Sequence, residues 1–133
     1  MNPVGIVLVS HSAAVATAVA ELARGLAGGA AEVPVAAAGG TADGGLGTSA
    51  ELIARAAAEV DRGAGVAVLV DLGSAVLTVK ALLADGDELP GSTRLVDAPL
   101  VEGAVAAVVA ASAGADLAAV GAAATEAYDY RKA

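Results

Sequence analysis

Residues 4–12 read VGIVLVSHS (Val4–Ser12), and the fold follows from this stretch. Val4 to Val9 is an unbroken apolar run rich in β-branched side chains, the pattern of a strand buried on both faces of a parallel sheet. Ser10, His11 and Ser12 form the turn that ends it, and they deliver the only histidine in the chain, His11. Ser12 is a good N-cap for a helix from Ala13 to about Leu26, where Val15, Val19, Leu22 and Leu26 recur at helical spacing and Gly28-Gly29 stops the pattern.

Working outward, the alternation continues. A second strand is expected over Glu32–Ala37, followed by a loop too glycine-rich for regular structure, AGGTADGGLGTS, from Ala38 to Ser49. Thr48 or Ser49 caps a helix to about Val60, and Gly63 and Gly65 break it. Val66–Val70 is a third buried strand, ending in Asp71 and a turn at Gly73-Ser74, and a helix runs from Ser74 to about Leu83. Asp85–Gly91 is a surface connection, Thr93–Val96 a fourth strand, and Asp97-Ala98-Pro99 turns it into a helix that Pro99 starts and that runs to about Ser112. Asp116 caps a last helix before the charged tail Asp129–Lys132. The order β-α-β-α-β-α-β-α-α predicts an α/β fold: a three-layer α/β/α sandwich around a mostly parallel sheet, strand order 2-1-3-4, forming one domain over residues 1–133.

Composition limits the function. Hydrophobic content of 57% against 17% charged residues excludes a disordered chain. With 2% aromatics and no Phe or Trp, the core must be built from Val, Leu, Ile and Ala. The net charge of −8, with only seven Lys and Arg, argues against nucleic acid and against an anionic membrane surface, and favours a basic protein partner. The absence of Cys fits a reducing cytoplasm and removes thiolate chemistry. One His without Cys gives no metal site, and no cofactor is implied. The uncharged start, Met1–Ala20, ends like a signal-cleavage site, but it has no basic residue and is interrupted by His11, so no signal peptide and no membrane span are expected.

In a parallel sheet all strand C-termini lie on one edge, and the switch point of the strand order is where ligand chemistry sits. Three strand ends here carry polar residues: His11-Ser12, the Thr41–Ser49 loop, and Asp71 with Gly73-Ser74. The order 2-1-3-4 brings His11 beside Asp71. A histidine accepts a phosphoryl group through a neutral ring nitrogen, and an aspartate bound to the other ring N–H fixes the tautomer and raises nucleophilicity. Amides near Ser12 or Gly73-Ser74 could hold phosphoryl oxygens, and the hydroxyls of Thr41, Thr48 and Ser74 could add hydrogen bonds. The plainer alternatives are a capping or merely exposed His11, Asp71 as a helix N-cap, and the glycine loop as simple connection. Two look-alikes fail. Gly40–Gly45 has Walker-like spacing, but Leu46-Gly47 stands where the lysine belongs, and Gly45-Leu46-Gly47 lies in a long loop after the second strand instead of a tight turn after the first.

With these residues placed, the sequence resembles a known family, the phosphotransferase (DhaM) subunits of phosphoenolpyruvate-dependent dihydroxyacetone kinases, related to mannose-type IIA components of the bacterial sugar phosphotransferase system. The matching segments are VLVSHS (Val7–Ser12), GGTADGGLGTS (Gly39–Ser49), VDLGSAVLT (Val70–Thr78) and LVDAPLVEGAVAA (Leu95–Ala107). The resemblance implies a cytoplasmic phosphocarrier. His11 would take a phosphoryl group from the carrier protein HPr and pass it to ADP on the kinase's nucleotide-binding subunit, with Asp71 as its orienting partner. Ser12, Gly39-Gly40-Thr41, Gly47-Thr48 and Gly73-Ser74 would frame the site. It also implies a homodimer, and a separate HPr, because some members continue into HPr-like and enzyme-I-like domains. Two alternatives remain: a IIA component of a mannose-type sugar permease, and a non-catalytic module that senses phosphorylation and changes partners.

Overall fold

The computed structural model describes residues 2–27 and 32–133, so Gly28-Gly29, expected to end the first helix, lies outside the described residues. The elements are β1 (Gly5–Ser10), α1 (Ala13–Leu26), β2 (Val35–Gly39), α2 (Ala50–Val60), β3 (Val66–Val70), α3 (Gly73–Asp85), β4 (Thr93–Leu95), α4 (Leu100–Ser112) and α5 (Leu117–Glu126), followed by a 3₁₀ turn at Ala127–Asp129. The four strands pair in parallel in the order β2-β1-β3-β4. The expected sandwich and strand order are both present.

The period of two along β1 explains the layers. Ile6 and Leu8 enter one core with α1, α4 and α5, while Val7 and Val9 enter the other with α2 and α3. All four are fully buried, which is why β1 reads as a continuous apolar run without alternation, and each such burial contributes roughly 1.5–3 kcal/mol. Helices α1 and α2 present the same spacing to the sheet: Ala16, Val19, Ala20 and Ala23 from one, Ile53, Ala56, Ala57 and Val60 from the other. The face of α1 therefore differs from the expected stripe. Only Val19 of that set is buried, and Val15, Leu22 and Leu26 are exposed. Small side chains face the core because the layers approach closely, and branched ones would hold them apart.

Strand boundaries also shift. β2 begins at Val35 and runs to Gly39, later than the expected Glu32–Ala37, because its extent is set by β1: Ile6 pairs with Val35 and Ser10 with Gly39. Val33 is buried ahead of the strand, which is why its apolar signal read as strand. β4 stops at Leu95, although the Val96 amide still donates to the Val68 carbonyl at 2.8 Å. α3 runs to Asp85, where Gly86 turns left-handed at φ 79°. Pro99 is the N-cap of α4, and the Asp116 carboxylate caps α5 by accepting from the Ala119 amide at 2.9 Å, as expected.

Candidate functional site: a histidine held by an aspartate across two strand ends

The chain leaves β1 through α1 on one face of the sheet and reaches β3 through α2 on the other, so the crossovers diverge at the C-terminal ends of β1 and β3. His11 follows the first of these strands and Asp71 the second. The register that pairs Val9 with Val70 sets the two residues side by side. His11 Nδ1 lies 3.0 Å from Asp71 Oδ1, and the His11 backbone amide donates to Asp71 Oδ2 at 3.0 Å. The carboxylate also accepts from the Ser10 hydroxyl at 2.9 Å and the Leu72 amide at 2.8 Å. Burial works to raise the pKa of Asp71, but these four donors outweigh it and hold the carboxyl below its ordinary range. Asp71 is thus an ionised acceptor at neutral pH, and the neutral imidazole facing it carries its proton on Nδ1. The lone pair is left on Nε2, at the partly exposed end of the ring, where the Ser74 hydroxyl lies 2.6 Å away.

The flanking segments fix the backbone around this pair. The Gly47 amide donates to the His11 carbonyl at 2.9 Å and the Gly40 amide to the Ser10 carbonyl at 3.1 Å. Glycine is required where the loop presses closest: a Cβ on Gly39 would lie 2.4 Å from the Ser12 carbonyl oxygen. Gly47 has φ +140°, a conformation L side chains rarely adopt. The glycine-rich stretch is therefore a collar packed on the β1–α1 turn.

The hydroxyls separate into two groups. Ser74 meets the imidazole, and Gly73 opens α3 beside it with no side-chain cap. Ser12 caps α1 by accepting from the Val15 amide at 3.3 Å. Thr41 is turned into its own loop, accepting from the Gly45 amide and donating to Asp43, whose carboxyl is held below its usual range chiefly by that hydroxyl. Thr48 pairs with Thr78 at 2.9 Å and so ties the collar to α3. Asp71 does not cap α3; the N-cap position is Leu72.

Sequence reasoning missed Ser10 and Thr78. Ser10 is 1% exposed, donates to Asp71 and accepts from the Ser12 amide at 3.1 Å. Its signal was a hydroxyl at the last position of a strand otherwise wholly apolar, where a buried polar group must have a partner. Among the described residues no group of three or more His, Cys, Asp or Glu side chains is arranged to hold a metal ion.

The comparisons place the chain in a class of phosphotransferase-system proteins: the family model for the PTS system fructose IIA component matches residues 5–121, and the chain belongs to that family. Within it, the chain is 39% identical over 107 residues to the protein of Listeria innocua serovar 6a named PEP-dependent dihydroxyacetone kinase 2, phosphoryl donor subunit DhaM, covering 80% of this chain and 84% of the relative. It is 38% identical over 116 residues to the phosphoryl donor subunit DhaM of Escherichia coli K12, covering 86% of this chain but 25% of that longer relative. Among solved structures, a protein of unknown function, EF1359, superposes with TM-score 0.81 at 33% identity over 95% of both chains. A sigma-54 interaction domain protein from Enterococcus faecalis shares the fold alone, with TM-score 0.67 at 16% identity over 96% of this chain and 92% of that one. No helix among the described residues is long and apolar enough to cross a membrane.

Proposed function

We propose that this chain is a cytoplasmic phosphocarrier, one IIA-like domain over residues 1–133 and a homodimer, that feeds a dihydroxyacetone kinase. His11 takes a phosphoryl group from phospho-HPr and passes it to ADP on the kinase's nucleotide-binding subunit. The observation that carries this reading is the division of labour on one imidazole: Nδ1 is bound to an ionised Asp71 at 3.0 Å, and Nε2 is left to a single exposed hydroxyl, that of Ser74. The names of the Listeria innocua and Escherichia coli relatives support a dihydroxyacetone kinase as the system it serves.

In the transfer, the Nε2 lone pair attacks phosphorus while the P–N bond of the donor phosphohistidine breaks and its electron pair returns to the donor ring. The Nδ1 proton stays on His11. The positive character that the ring gains on phosphorylation is balanced by Asp71, whose four donors keep it ionised and aligned. Gly40 and Gly47 hold the turn that carries the ring, Ser12, Thr41, Thr48 and Gly73 frame it, and Ser74 reaches its reactive nitrogen.

Incubation with phosphoenolpyruvate, enzyme I and HPr is expected to add one acid-labile phosphoryl group by intact mass, and His11→Ala to abolish it. A wild-type protein that gains no mass would overturn the reading. The family description, a fructose IIA component, favours one second reading, a IIA component of a sugar permease. Transfer to ADP in the presence of the kinase subunits separates the two: a permease component would label a IIB partner and leave ADP untouched.

A further inference from the structure

The 2.6 Å contact between the Ser74 hydroxyl and His11 Nε2 sits on the atom that must become covalently bonded to phosphorus. In the neutral ring with its Nδ1 proton on Asp71, Nε2 accepts and the Ser74 hydroxyl donates. In that nucleophilic form the lone pair is already occupied. Ser74 is in the first turn of α3, exposed, with no other hydrogen-bond partner for its hydroxyl among the described residues, so the contact can be released by rotation about one side-chain bond. Once Nε2 is bonded to phosphorus it has no lone pair, while three strongly accepting phosphoryl oxygens stand where the lone pair pointed. The same hydroxyl can then donate to one of them. Ser10, Ser12, Thr41 and Thr48 are unsuited to this exchange, because each already serves Asp71, a helix cap, a loop or Thr78.

We propose that Ser74 is an exchangeable cap on His11: it masks Nε2 in the free protein and transfers its hydrogen bond to the phosphoryl group after uptake, so that it both restrains premature reaction and prolongs the phosphorylated state. The exchange is balanced without any added group. The N–P bond forms as the donor's N–P bond breaks, the Nδ1 proton remains with His11, and the Ser74 proton stays on its oxygen and changes acceptor. The second half of this proposal rests on the phosphocarrier reading, whereas the first half concerns only the free imidazole.

Because His11 is the only histidine, acylation by diethyl pyrocarbonate, followed by the ultraviolet absorbance of the N-carbethoxyimidazole, reports His11 alone. One modest hydrogen bond removed predicts that Ser74→Ala is acylated about 3–10-fold faster than wild type. It also predicts that phospho-His11 in Ser74→Ala, prepared with enzyme I and HPr, hydrolyses about 3–10-fold faster. Ser74→Thr, which keeps the hydroxyl, restores both rates towards wild type. A residue that merely supports the start of α3 would not accelerate acylation, nor be rescued by threonine in both assays. Unchanged or slower acylation of Ser74→Ala overturns the cap, and an unchanged phosphohistidine half-life overturns the hand-over. If acylation accelerates as expected but no chain accepts phosphoryl from HPr, the carrier reading and the hand-over fail while the cap stands.

Discussion

Leu-Val-Asp occurs twice at the C-terminal ends of neighbouring strands, as Leu69-Val70-Asp71 after β3 and Leu95-Val96-Asp97 after β4. The local sequences are the same, yet the two carboxylates have different work. Asp71 lies beside β1, accepts four hydrogen bonds and grips His11. Asp97 lies beyond β3 at the sheet edge, exposed, where its carboxylate accepts from the Tyr128 hydroxyl at 2.7 Å and its carbonyl from Thr125 at 2.8 Å, fastening the C-terminal segment. A strand-end aspartate is therefore a property of local sequence, and its role is a property of which strand stands next to it.

Exchanging each carboxylate for an amide tests this contrast most severely. Asp71→Asn can no longer compel the proton onto Nδ1, and loss of a comparable orienting carboxylate costs about 10–100-fold or more. Phosphorylation of Asp71→Asn by phospho-HPr is expected to fall by at least about 100-fold with the fold retained, and Asp97→Asn to stay within about twofold of wild type. Rapid-quench labelling with circular dichroism as the folding check reads both. Equal losses in the two variants would break the contrast.

A smaller effect is expected from Ser10, which has no counterpart beside Asp97. Ser10→Ala leaves Asp71 three donors and strands the Ser12 amide, so stability should fall by about 1–3 kcal/mol in denaturant titration. Labelling should slow by only about 3–10-fold, because the contact from the carboxylate to Nδ1 survives.

The same donors give Asp71 a signature in acid. Its folded pKa lies below the ordinary 3.8, so the stability it contributes is fully present above that value and is lost as the pH falls through the lower folded value. The gap in melting temperature between wild type and Asp71→Asn should accordingly be widest near neutral pH and narrow below about pH 4. A gap that does not change between these conditions would mean that the carboxylate is not held ionised by the fold.

The strands, their order and the pairing of His11 with Asp71 were legible because fully buried parallel strands leave an unmistakable β-branched run and because topology puts their ends together. What sequence concealed was set by approach distance. The core face of α1 runs through Ala16, Ala20 and Ala23, and because composition gives alanine no direction, helical spacing points to Val15, Leu22 and Leu26, which lie on the solvent side. Ser10 was hidden for a related reason: a serine in a turn usually faces water, and only the neighbouring strand shows that this one is enclosed. Thr41 and Thr48 share the loop's composition with Gly47, but whether a hydroxyl turns towards the ring or into the collar depends on backbone angles that no spacing rule contains.

The gentlest test addresses the other aspartate. The hydrogen bond that Tyr128 donates to Asp97 is the main reason its phenol sits above the ordinary 10.0, with burial and the nearby negative charge adding to it. A raised folded pKa contributes stability that is fully present below 10.0 and disappears as the pH rises through the folded value. Tyr128 is 56% exposed, so solvent screens the contact and the effect is small. Tyr128→Phe should leave His11 labelling unchanged, lower the melting temperature slightly at neutral pH, and remove a shallow loss of stability that wild type shows above about pH 10. If Tyr128→Phe instead slowed labelling as Ser10→Ala does, the edge aspartate would be coupled to the imidazole after all, and the sheet order would no longer suffice to separate the two roles.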